Sequence, residues 1–322
     1  MNQQLCIHIA FCVNDAYVPY ITVAIKSIIE NNRASCICFH ILSDFITEKN
    51  RARIDSVLYG CKNVSAKIYC IDDRPLSKLT IRGWTIYAWY RILLPDILPE
   101  DVKRVLYLDA DTLVVTDISS LFSMDMTGKT IASVVEDRTF ETYHYDRLKY
   151  DTDKHYICSG VLLINLEYWR RYNLTEQMID WALVHGRDLT FPDQDTINYI
   201  CQDSKILLPL RFGIVEWFFT NDRFYVPPYL EQLKECIYNP AIIHYAFCVP
   251  WYKDAIRHLM YDEWIKYNKM LTYPVKPRYK ATGVLRLKHS LWNMFHPFKD
   301  RRILTIRDVE RKIAEGNPDI LK

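Results

Sequence analysis

Residues 103–115, KRVLYLDADTLVV, decide how this chain is read. Val105–Leu108 is a short apolar run, the mark of a strand entering a core. It ends in Asp109 and Asp111, with Ala110 between them, before the chain turns apolar again. In extended chain, residues i and i+2 point to the same side. The two carboxylates therefore leave one strand end in one direction. In open α/β sheets, ligands bind beyond the carboxyl ends of strands. Two oxygen donors there suit a hard divalent cation with open positions, whose usual work is to neutralise phosphate oxygens. Asp-x-Asp recurs at 151/153 and 193/195, but only 109/111 follows a buried strand.

The flanking sequence supplies the rest of such a sheet. Leu5–Val13, Cys36–Leu42 and Ala66–Ile71 are apolar, β-rich runs. Between the first two, Tyr17–Asn31 has helical spacing, with Pro19 tolerable in its first turn. Thr47–Tyr59 predicts a second helix with Thr47 as N-cap. This β-α-β-α-β order argues for a parallel sheet covered by helices, hence an α/β fold. Ile131–Val135 and Val161–Leu166 extend the sheet. Asp193–Cys201 suits a short helix, Ala241–Ile243 a late strand and Lys253–Met270 an amphipathic helix. No GxGxxG or Walker A loop occurs, which weakens dinucleotide-binding and P-loop readings.

The 322 residues suffice for one large domain plus an extension. Residues 276–322 hold 12 Lys and Arg against 5 Asp and Glu, while residues 1–275 hold 29 against 34. An acidic body thus carries a basic tail. Within that tail, Val284–Phe295 places apolar residues on one helical face beside Arg286 and Lys288. Basic plus aromatic on an amphipathic helix fits a segment lying on an anionic membrane. No nucleic-acid-binding motif accompanies the charge. The ten cysteines form no CxxC and no zinc spacing. Together with the lack of a signal-peptide pattern at 1–4, they fit a reducing, cytoplasmic setting.

KRVLYLDADTLVV, YICSGVLLINLEYWRR (156–171), FPDQDTIN (191–198) and AFCVNDAYVPYITVAIKSI (10–28) together resemble glycosyltransferase family 8. This retaining family includes lipopolysaccharide galactosyl- and glucosyltransferases and glycogenin. The resemblance runs from about residue 5 to about residue 252. It implies a nucleotide-diphospho-sugar transferase (GT-A type) domain with a mixed, mostly parallel sheet, expected over 1–272, to which the charge pattern adds a helical basic extension over 273–322. It implies a UDP-hexose donor with Mn2+ held by Asp109, Asp111 and His244, of which the acids and Ala110 also meet the donor. Imidazole beside carboxylates suits Mn2+ better than Mg2+.

By the same resemblance, Cys12, Asn14, Asp15 and Tyr17 clasp the uridine and Arg91 reaches the donor. Asp137 meets a sugar hydroxyl, with Glu136 as the other candidate acid. Asp193 and Gln194 lie along the reacting face of the sugar. The acceptor implied is a glycan or glycolipid, lipopolysaccharide or another cell-surface glycan, reached from the inner face of the membrane. Three positions depart from the family pattern. Cys158 stands where an asparagine contacts the sugar. The loop after His244 lacks the family's glycine and lysine, leaving Lys253 as a substitute. Asn14 replaces a common acid, and its amide oxygen can still accept a hydrogen bond.

Two other readings compete. One is a catalytically degenerate nucleotide-sugar-binding protein of the same fold. The other is a haloacid-dehalogenase phosphatase, whose Asp-x-Asp motif needs Thr or Val where this chain has Leu113.

Overall fold

The computed structural model describes residues 6–136, 141–227, 229–253, 257–278 and 304–316. Nine strands are present among them. They are β1 (Cys6–Cys12), β2 (Cys36–Ser43), β3 (Val64–Cys70), β4 (Arg104–Leu108), β5 (Thr112–Val114), β6 (Ile131–Ser133), β7 (Val161–Asn165), β8 (Lys205–Leu207) and β9 (Ile242–His244). Seven form one sheet in the order β3-β2-β1-β4-β7-β6-β8. β1 pairs in parallel with both β2 and β4, and β7 runs antiparallel to β4 and β6. The sheet is therefore mixed and mostly parallel, as expected. β5 and β9 form a separate antiparallel pair.

Alternation along β4 feeds two cores. Leu106 and Leu108 pack on the side of α1 (Val18–Asn31) and α2 (Glu48–Leu58). Val105 and Tyr107 pack with Trp89, Trp169 and Ile197 on the other side. α1 is buried almost all round, with Pro19 in its first turn. Its Ser27 Oγ accepts from Val114 N (3.0 Å), and Asn32 Oδ1 accepts from Ile118 N (2.9 Å). These bonds tie β5 and the chain after it to the helix. Thr47 caps α2, accepting from Asn50 N.

One expectation changes. Of the helix predicted over 253–270, the described residues form it at Tyr261–Lys269. Residues 257–260 are non-helical because Leu259 N donates to the Glu216 carboxylate (2.7 Å) and His258 is buried beside it. The chain after 272 makes contacts with the body where it is described. Asn268 holds Val275 through two hydrogen bonds (2.9 and 2.7 Å), and Val275 is buried. Further on, Thr305 and Asp308 form a capping box for a helix over Ile306–Glu315. That helix buries Val309 and Ile313 in the core, and Lys312 pairs with Asp222 (2.8 Å). The amphipathic stretch 284–295 lies outside the described residues. Among those described, no helix is long and apolar enough to cross a membrane.

Candidate active site

The β5–β9 pair builds the site. Its register sets Thr112 opposite His244, and Tyr245 N donates to Asp111 O (2.8 Å). His244 Nε2 then lies 3.3 Å from Asp111 Oδ1 and 3.7 Å from Asp109 Oδ2. One donor atom from each of the three falls within 4.8 Å of the others. Burial alone would lower the His244 pKa, but Asp111 and then Cys158 push it well above the ordinary range. The same negative field favours a cation.

Gly160 supports that reading. Its carbonyl accepts from Asp109 N (2.8 Å), so β7 is pressed against the acids. A Cβ there would sit 2.2 Å from His244 Cε1 and 2.8 Å from Asp109 Oδ2. Only glycine leaves room among the three donors. Two carboxylates and an imidazole fit a divalent cation of the manganese type.

Arg91 organises the next layer. It is buried, its Nη2 donates to Asp109 Oδ1 (3.0 Å), and its Nε lies 3.2 Å from Asp193 Oδ2. Nη1 donates to the Ser159 carbonyl (2.7 Å) and hydroxyl (2.9 Å), and Nε to the Ala88 carbonyl (2.9 Å). Burial disfavours the charge, yet Asp109 and Asp193 keep the guanidinium firmly protonated. Asp193 is raised by burial, with Arg91 opposing. Gln194 is fixed at both ends. Its Oε1 accepts from Ser159 N (2.9 Å) and its Nε2 donates to Glu136 Oε2 (2.7 Å).

These groups floor a cleft of about 540 Å³. Cys12, Asn14, Tyr17, Ala110 and Cys158 line it, together with Arg91, the metal-type donors, Glu136, Asp193 and Gln194. The Cys158 thiol lies 3.6 Å from His244 Nδ1, behind the imidazole. Two expected donor contacts are not on the cleft wall. Asp15 turns toward α2, accepting from Thr47 N (2.8 Å) and Thr47 Oγ1 (3.0 Å). Lys253 is exposed and its backbone N donates to Arg278 O (2.9 Å), while its neighbours Trp251 and Tyr252 line the cleft. Asp137 lies outside the described residues.

Sequence reasoning missed several groups. Tyr107 donates to Asp109 Oδ1 (2.5 Å), which the i/i+2 rule applied to LYLDAD would have found. Ser159 meets Arg91 and Asp193. Asp195, fully buried, accepts from Arg147 (2.8 Å), Tyr156 Oη (2.6 Å) and Thr190 N (2.7 Å), fixing the turn before Asp193. The cleft's aromatic mouth, Trp84, Trp217 and Phe247, had no signal in the spacing.

A mixed sheet ending in this acid–imidazole cluster is the architecture of GT-A glycosyltransferases. The chain belongs to glycosyl transferase family 8, whose model matches residues 8–255. General stress protein A of Bacillus subtilis is 29% identical over 82% of this chain and 96% of its own. Lipopolysaccharide glucosyltransferase WaaO of Escherichia coli is 28% identical over 79% of this chain and 75% of its own. The galactosyltransferase LgtC, solved with donor and acceptor sugar analogs, superposes with a TM-score of 0.73 at 24% identity. That match covers 88% of this chain and all of LgtC.

Proposed function

We propose that this glycosyltransferase moves a hexose, galactose or glucose, with retention, from a UDP-sugar to a hydroxyl of lipopolysaccharide or another cell-surface glycan. The convergence of Asp109, Asp111 and His244 at the floor of the cleft carries the reading. Similarity to lipopolysaccharide glucosyl- and galactosyltransferases supports the hexose and the acceptor class. The three donors would hold Mn2+, which when bound offsets the charge of the diphosphate and of the departing UDP. Cys12, Asn14 and Tyr17 form the wall for the nucleotide. Glu136, and by expectation Asp137, face the sugar hydroxyls.

Asp193 and Gln194 border the reacting face. Double displacement needs a free carboxylate against the anomeric carbon. Asp193 is instead paired with Arg91, and the Gln194 carbonyl is engaged by Ser159 N. The residues therefore favour front-face attack, in which the leaving phosphate takes the acceptor proton. Their part is to bind and orient the sugar and to present an electron-rich wall to its developing positive charge.

UDP release from UDP-galactose and UDP-glucose, with and without Mn2+, tests the proposal. Mn2+-dependent release that is lost in Asp111→Asn supports it. UDP-sugar binding without turnover would instead indicate the degenerate protein that the departures at Cys158 and in the loop after His244 allow. Peripheral attachment to the inner face of the membrane is a separate proposal, resting on the basic pattern of 276–302. It is tested by vesicle sedimentation after neutralising Arg286 and Lys288. Truncation is unsuitable because the 306–315 helix packs on the body.

A further inference from the structure

We infer that β1 and β2 carry a second metal site, formed by His8, Cys38 and His40, for a divalent cation of the zinc class. The parallel register sets His8 beside Cys38 and Ala10 beside His40. Strand alternation then places the three side chains on one face. One donor atom from each lies within 4.8 Å of the other two. His8 Nδ1 is 2.9 Å from His40 Nε2, and the rings stack at 5.2 Å.

The surroundings suit ligation. His40 Nδ1 lies 2.9 Å from the Tyr69 hydroxyl on β3. A ligating imidazole is commonly held in this way through its second nitrogen. Zinc bonds of about 2.0–2.1 Å to nitrogen and about 2.3 Å to sulfur set tetrahedral donors roughly 3.3–3.7 Å apart. The imidazole pair needs to open by a few tenths of an ångström, and the thiol to close by at most about 1.3 Å. Two residues upstream on the same face, Cys6 and Cys36 bring their Sγ atoms to 2.8 Å, a second tier of soft donors. Cys6, His8 and Cys36 are only half-buried, which gives an ion a way in.

The two sites share no residue and differ in chemistry. Thiolate with imidazoles selects zinc-like ions, whereas carboxylates with one imidazole suit manganese. Loading breaks the His8–His40 hydrogen bond, moves the His8 proton to Nε2 and releases the Cys38 thiol proton. A water completes the coordination. Spacing could not reveal the site, because the sheet register brings His8 to a Cys-x-His pair thirty residues away.

The test is titration of the full reduced chain with Co2+ alone. The expected result is a sulfur-to-cobalt charge-transfer band with tetrahedral visible bands, saturating at one ion per chain and reversed by Zn2+. It persists in Asp111→Asn and is lost in Cys38→Ser. Tyr69→Phe weakens Co2+ binding by about 10–100-fold. Absence of the band in the parent chain, or its survival in Cys38→Ser, overturns the inference. If Cys38→Ser does not fold, His8→Ala at its half-buried position replaces it, and an unchanged Co2+ spectrum and affinity there overturn it equally.

Discussion

Gly160→Ala tests the geometry of the acid–imidazole cluster with a single methyl group. Glycine 160 is not in the left-handed region, so alanine meets no backbone penalty and the clash is the operative effect. The new Cβ would lie 2.2 Å from His244 Cε1, 2.7 Å from His244 Nε2 and 2.8 Å from Asp109 Oδ2. Carbon atoms rest at roughly 3.5–4.0 Å, so the imidazole must withdraw by more than about 1 Å. A misplacement of about 1 Å costs roughly 100-fold in a positioned site, which is about 2.7 kcal/mol of transition-state stabilisation. Stability should fall by only about 1–3 kcal/mol, the usual cost of overpacking. The assay is Mn2+ binding by electron paramagnetic resonance alongside UDP release and a thermal melt. Parental Mn2+ affinity and kcat/KM in a folded Gly160→Ala chain would refute the assignment of the three donors.

Other perturbations probe neighbouring features. Cys158→Ala removes the thiol behind His244 Nδ1 and should weaken Mn2+ binding by about 10–100-fold; isothermal titration shows whether affinity instead stays unchanged. Phe247 holds φ at +63° where the family pattern has glycine. Phe247→Val should therefore destabilise by about 1–3 kcal/mol through left-handed strain on a β-branched residue, and an unaltered melting temperature would contradict this. Burial pushes the Glu216 carboxyl up to about 7 from 4.5. The folded state then binds more protons than the unfolded one between those values, so stability is greatest below about pH 4.5 for this group and declines as pH rises through 7. At pH 8 its ionisation costs on the order of 3 kcal/mol, so Glu216→Gln should be the more stable form there and flatten the slope. Equal pH profiles of the two chains by chemical denaturation would remove Glu216 as the cause.

Local pattern made the strands legible where one residue's environment decides its state. The apolar run 105–108 and the Thr47 cap each involve near neighbours, and each forms as the sequence implies. The predicted helix over 253–270 fails at 257–260 for a non-local reason. A buried carboxylate from residue 216 captures Leu259 N, and no window around 259 contains that partner. The same limit governs His244, whose partnership with Asp111 depends on the β5–β9 register. Resemblance to a family could suggest it, but spacing could not.

Arg91 shows what this means for function. By resemblance it is the arginine that reaches the donor. In the fold, its guanidinium bonds to Asp109 and to both oxygen acceptors of Ser159, and it lies against Asp193. Tyr107 adds a hydroxyl to Asp109 and lies under the guanidinium at 4.4 Å. Asp109, Asp111, Asp193 and Glu136 set four carboxyl side chains along one cleft. A buried arginine between Asp109 and Asp193 fixes both carboxylates in direction. Arg91 therefore acts on the cleft through Asp109 and Asp193. The acidic pair that ends β4 is usable because a cation from residue 91 and a hydroxyl from residue 107 hold Asp109 before any ligand arrives.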